Sequence, residues 1–222
     1  MRKRNKDSLP RFTRGEEIFN AVSHIVGGGF GIVFLIVGVL YAHMHCDGLG
    51  IFSLYVYGIC MILTYTMSAI YHFLRPLKAK KVFRIIDHCS IFLLIAGTYT
   101  PICLITLMAE PAWGCSLFLI VWTLSILGIT FTAINLHKYK TFGQILYLAL
   151  GWCIIFALFP LLRHIELNGF WWLLAGGIAY SVGTIFFAYG RKVRYFHSIF
   201  HLFVVLGSVL QFICILFYVI IK

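Results

Sequence analysis

Acidic side chains are scarce in this chain of 222 residues, where seven Asp and Glu stand against 18 Lys and Arg. Charged residues of either sign make up only 11%, and 61% of the chain is hydrophobic, which excludes a soluble globular domain because apolar residues would have to cover its surface. No polar stretch is long enough to separate two domains. There is no CxxC and no paired cysteine spacing. The seven cysteines (Cys46, Cys60, Cys89, Cys103, Cys115, Cys153 and Cys214) are scattered, mostly within apolar runs, where a free thiol behaves as a small hydrophobe. No disulfide framework is implied. No internal repeat is visible, so the inverted-repeat architecture of many transporters finds no support.

What is present is hydrophobic length. Mean hydropathy is +0.95, and a helical span needs about 20 apolar residues. Seven runs qualify, at 18–41, 51–72, 86–108, 114–134, 142–162, 170–189 and 196–220. They are continuous rather than alternating, which argues against a transmembrane β-barrel. The sequence therefore predicts an all-α integral membrane protein, with a seven-helix domain over 15–222 and a flexible basic tail over 1–14. The first run follows basic residues, as a signal peptide would. It is too long for the apolar segment of such a peptide, and no A-x-A-like cleavage site follows it.

The positive charge is unevenly placed. With the N-terminus inside, 16 of the 18 Lys and Arg fall on inner segments, and Arg163 and Lys222 alone fall outside. The positive-inside rule gives N-terminus cytoplasmic and C-terminus outside. The basic excess is thereby explained as topology, aided by anionic lipid, and nucleic-acid binding is not expected.

Histidine carries the chemistry. His197 and His201, one helical turn apart, share a face near the start of the last run. A histidine inside a span is costly and usually functional. His72 lies three residues before Arg75, Asp87 three after Arg84, and His197 three after Arg194. If those arginines mark the headgroups, the three groups sit about 4–5 Å inside the same face. Ser68 and His201 are each one turn deeper. Three imidazoles and a water form a recognised catalytic zinc set, with Zn²⁺ as the expected cofactor. Asp87 is the candidate proton acceptor, and Ser68 the candidate oxyanion donor or orienter of His72. A structural zinc clasp fits the same residues unless a fourth position is open.

A supporting set lies in the first run. Glu17, Asn20 and His24 share a helix face, and His24 or Glu17 is expected to bond to the site or to lipid headgroups. For Glu16 and Glu17 themselves, attraction to the helix N-terminus is a sufficient explanation. His88 points away from Asp87. His43 and His45 are expected in an outer loop with Asp47, and His137 and His164 as isolated loop residues. Cys89 is a weak ligand candidate. Trp113, Trp171 and Trp172 suit an outer interfacial belt.

These motifs resemble the hemolysin III family, the bacterial branch of the progestin and adipoQ receptor superfamily. The resemblance rests on EEIFNAVSHIVG at 16–27, SAIYHFL at 68–74, DHCSIFLLIAGTYTP at 87–101, GWCIIFALFPLL at 151–162 and FHSIFHLFVVLGS at 196–208. It implies one zinc near the cytoplasmic face, with His72, His197 and His201 as ligands, Asp87 holding a water beside it and Ser68 in support. The pattern is also similar to alkaline ceramidases, which hydrolyse lipid amides. Phe200 and Gln211 depart from the Trp and His usual there. The resemblance thus implies a lipid-directed hydrolase of the bacterial cell membrane that serves lipid homeostasis, with a membrane lipid or fatty acid as its partner. The alternatives are a non-enzymatic lipid sensor with structural zinc and a pore-forming cytolysin. The spans carry no amphipathic feature that would explain lysis.

Overall fold

The computed structural model describes residues 9–10, 12–190 and 192–221. Most of the basic tail, residues 1–8 and Arg11, lies outside the described residues. Eight α-helices build the fold: α1 Arg14–His45, α2 Gly48–Phe73, α3 Leu77–Pro101, α4 Pro111–Asn135, α5 Lys140–Gly151, α6 Leu158–His164, α7 Leu167–Tyr189 and α8 Phe196–Ile215. No strand occurs among the described residues. With their π and 3₁₀ extensions these helices form seven segments long and apolar enough to cross a membrane.

Local chemistry sets the boundaries. Thr13 caps α1 through a capping box, its hydroxyl accepting from Glu16 N while the Glu16 carboxylate accepts from Thr13 N. Asp47 caps α2 by accepting from Gly50 N at 2.8 Å. Pro111 opens α4, where its missing N–H costs nothing. The third span begins at Leu77, nine residues before the apolar run expected at 86. Lys and Ala are good helix formers, so the helix continues beyond the hydrophobic stretch. α1 likewise extends to His45, so His43 and His45 are helical rather than loop residues. Their Nδ1 atoms bond to Val39 O and Tyr41 O.

The fifth span is one apolar run in sequence but not one helix. Between α5 and α6 lies a 3₁₀ turn, Cys153–Ala157. The Tyr99 hydroxyl is inserted there: it donates to Gly151 O at 3.0 Å and accepts from Ile154 N at 2.9 Å. A side chain entering the helical ladder is a recognised cause of a break, and in lipid the freed backbone groups must find such a partner.

Helix α1 packs chiefly on α2 and also touches α8, while α7 packs on α8. Close approach of α1 to α2 depends on Gly27, where a Cβ would come within 2.8 Å of the Tyr65 ring. Gly29 faces open space. Helices in lipid associate through packing rather than through the hydrophobic effect, so such small-residue contacts weigh heavily. Gly27→Val is expected to destabilise the purified protein by about 1–3 kcal/mol through overpacking, whereas Gly29→Ala leaves it near neutral. Thermal unfolding in detergent compares them, and equal melting temperatures would refute the packing argument.

Candidate metal centre

Three buried histidines meet where α2 and α8 approach at the end of the bundle that carries the basic clusters. One nitrogen each of His72, His197 and His201 lies within 4.8 Å of the others. His197 Nε2 and His201 Nε2 are 3.2 Å apart. Tetrahedral zinc with Zn–N bonds near 2.0–2.1 Å would place its ligand nitrogens about 3.3 Å from each other.

The opposite ring edges explain the orientation. His201 Nδ1 lies 3.2 Å from Asn20 O. A backbone carbonyl can only accept, so this ring carries its proton on Nδ1 and leaves a lone pair on Nε2. The nearby Ser23 hydroxyl is committed to the same carbonyl, at 3.0 Å. His72 Nδ1 faces Glu17 Oε2 at 2.7 Å, which again leaves Nε2 to point inward, buried and without a partner. An orphaned buried nitrogen is unfavourable, and a cation is the partner that convergent lone pairs fit. Carboxylates and carbonyls behind imidazole ligands are the usual supports of metal sites. By these tests the residues fit a metal ion.

The supporting set from α1 reaches the site through Glu17 and Asn20. Glu17 is more than a helix-end charge: one carboxylate oxygen holds His72 and the other takes the Lys80 ammonium at 2.8 Å. Glu16 closes the capping box and also accepts from Tyr195 N at 2.8 Å. Tyr195, the one non-glycine residue with positive φ (61°) among the described residues, immediately precedes α8. Asn20 supports α8 twice, through its carbonyl to His201 and through its side-chain oxygen, which accepts from Ser198 at 2.6 Å. His24 makes no hydrogen bond to the three histidines. Both its nitrogens are buried without partners, and its ring stacks on His201 with centroids 3.7 Å apart.

Asp87 and Ser68 lie outside the three-nitrogen group but border the same cavity as His24, His197 and His201. The Ser68 hydroxyl lies beside the Asp87 carboxyl without closing a hydrogen bond of ordinary geometry. The cavity continues along α3, α5, α7 and α8 past Ile91, Ile95 and Val204, and reaches the lipid-facing surface at Leu148 and Gly151. Cys89 is turned toward Ile129 O and is not among the residues of the three-nitrogen group. His88 contacts Phe187 and borders the cavity. His164 is not an isolated loop residue: it ends α6 and sits 3.1 Å from Glu110, which also takes Arg163 at 3.3 Å.

Two contributors escaped the sequence reading. Lys80 looked like one of several topology-marking cations. Its place four residues after Pro76, in the first turn of α3, turns it inward instead. Phe12 stacks on His197 at 4.8 Å between centroids and lies 5.8 Å from His72, covering the basic end of the site. No pattern in the sequence marked it.

The fold and site define an integral membrane protein of seven spans with a buried three-histidine centre open to an apolar cavity. Residues 12–212 match the family described as "Haemolysin-III related". The chain is 43% identical over 204 residues to "Hemolysin-3" of Bacillus cereus, covering 92% of each. It is 39% identical over 207 residues to "Hemolysin-3 homolog" of Bacillus subtilis, covering 93% of this chain and 96% of that one. More distantly, it is 25% identical over 171 residues to human "Monocyte to macrophage differentiation factor", covering 72% and 68%. The chain belongs to the haemolysin III family.

Glu17→Ala is expected to weaken metal binding by about 10–100-fold with little change in the helical circular dichroism spectrum. His197→Ala/His201→Ala is expected to abolish it. Chelator competition on the purified protein measures both, and unchanged affinity in Glu17→Ala would remove the supporting role assigned to that carboxylate.

Proposed function

We propose that this protein is a zinc-dependent hydrolase of lipid acyl bonds, amides foremost, in the bacterial cell membrane. In this reading it lies with its N-terminus inside and serves membrane-lipid homeostasis. The observation that carries the proposal is that His197 and His201 share one apolar cavity with Asp87 and Ser68. Zinc at the three histidines would polarise the scissile carbonyl and make water nucleophilic near neutral pH.

The chain's own residues supply the rest. Asp87 takes the proton from the attacking water at a carboxylate oxygen and returns it to the leaving nitrogen, so the amide ends as an acid and an amine. Ser68, beside it, donates to the carboxylate or to the developing oxyanion. Glu17 and the Asn20 carbonyl hold the imidazoles so that nothing reorganises during the step. The apolar walls align the acyl chain and exclude bulk water. The depth of the site below the basic residues matches an acyl linkage just beneath the headgroup.

Asp87→Asn tests the proposal. The variant is expected to keep the parent's metal content, near one ion per chain. Its hydrolysis of a fluorogenic long-chain N-acyl amide in mixed micelles should fall by about 10²–10⁴-fold. Undiminished turnover would remove Asp87 as the base. A metal-loaded parent that binds fatty acid but hydrolyses no lipid amide or ester would replace the hydrolase with a lipid sensor held together by structural zinc.

A further inference from the structure

The far end of the cavity carries a polar group that the proposed hydrolysis does not use. Gln211 is buried on α8, 6% exposed, and borders the cavity. Its Nε2 donates to Leu173 O at 3.0 Å. Because that carbonyl can only accept, the amide cannot be turned over, and its oxygen must face the other way. That oxygen, Oε1, is buried with no partner. Gly176 makes the arrangement possible, since a Cβ there would come within 2.7 Å of Gln211 Nε2.

The neighbours sharpen the contrast. Thr98, Tyr99, Trp152, Tyr180, Ser181 and Thr184 also line the cavity, and each has its hydroxyl or indole N–H bonded to the protein. Gln211 Oε1 is the exception among them. A buried carbonyl left unsatisfied is costly, and a partner must bring an O–H or N–H, since Oε1 can only accept. A plain hydrocarbon chain has none.

We infer that Gln211 Oε1 is a second recognition point, which accepts a hydrogen bond from a hydroxyl carried partway along the ligand's hydrocarbon chain. The inference rests on the reading of the cavity as a lipid site. Distance fixes the position of that hydroxyl. His201 and Gln211 are ten residues apart on one helix, which is about 15 Å. An extended carbon chain covers that span in about a dozen bonds, at about 1.2 Å each. The ligand class is therefore a long-chain lipid hydroxylated near mid-chain, and the orientation puts its carboxyl or amide end at the histidines.

The test is calorimetric titration of the detergent-purified, metal-loaded full chain with three probes: stearic acid, 12-hydroxystearic acid and 3-hydroxystearic acid. The mid-chain hydroxyl is expected to tighten binding about three- to tenfold over stearic acid, the value of one hydrogen bond to a neutral group. The 3-hydroxy isomer should gain nothing from Gln211. Gln211→Met, similar in volume, is expected to erase the preference while stearic acid binds as in the parent, which also shows that the variant is folded. Equal affinities for the three acids in the parent, or a preference that survives Gln211→Met, would overturn the inference and leave the lipid cavity standing. Failure of all three to bind would overturn both.

Discussion

Everything else in this structure depends on the placement of protons at the outer edges of two imidazole rings. In an apolar bundle each ring nitrogen must be accounted for, because no water is available to repair a mismatch. The carboxylate of Glu17 fixes one edge of His72, and the carbonyl of Asn20 fixes one edge of His201. Both partners come from α1, which contributes no ligand to the three-nitrogen group. The first helix is in that sense an orienting element: it turns lone pairs from two other helices toward one point. Its own position is set by Gly27 against Tyr65, so a close helix contact in the hydrocarbon region governs the geometry of a polar centre about two turns away.

Charge balance follows from the same arrangement. Burying a carboxylate against neutral imidazoles alone would be costly, and Glu17 avoids this by sharing itself between His72 and Lys80. Lys80 also reaches His72 O at 3.4 Å and lies over the Tyr71 ring. The cation, the carboxylate and the imidazole thus form a line that starts near the basic rim and ends at the cluster. The early start of α3 has a purpose in this light, because without the added turns beyond the apolar run Lys80 would have no fixed direction.

Much of this was legible in the sequence, and for identifiable reasons. The spans are long continuous runs, a signal that survives any detail of packing. His72, Asp87 and His197 could be placed at one depth because each stands three residues from an arginine, and rise per residue does the rest. The structure does place these groups together at one end of the bundle. What could not be read depends on contacts between distant segments. Tyr99 breaks the fifth span by entering its ladder from α3, and no residue of 151–157 announces it. Lys80 has the same sequence appearance as Lys78 and Lys81. The partnerless His24 follows from the stacking of α1 against α8, which hydropathy does not encode.

Three of the unsatisfied groups share one place. His24, Ser68 and Gln211 each hold at least one buried polar atom without a partner, and all three border the same cavity. Membrane bundles generally satisfy such groups, since the penalty is larger there than in water-exposed protein. Other hydroxyls along the cavity bond to the protein: Thr98 and Ser181 to their own helices, and Tyr180 to Ser208 at 2.8 Å. A chain able to satisfy those hydroxyls gains nothing in stability from leaving an imidazole and an amide oxygen bare along the same wall. Local inconsistency of this kind is expected where a fold gives up stability for function. The pattern is what a ligand cavity would leave, with unpartnered polar atoms at His24 and Ser68 toward one end and at Gln211 toward the other.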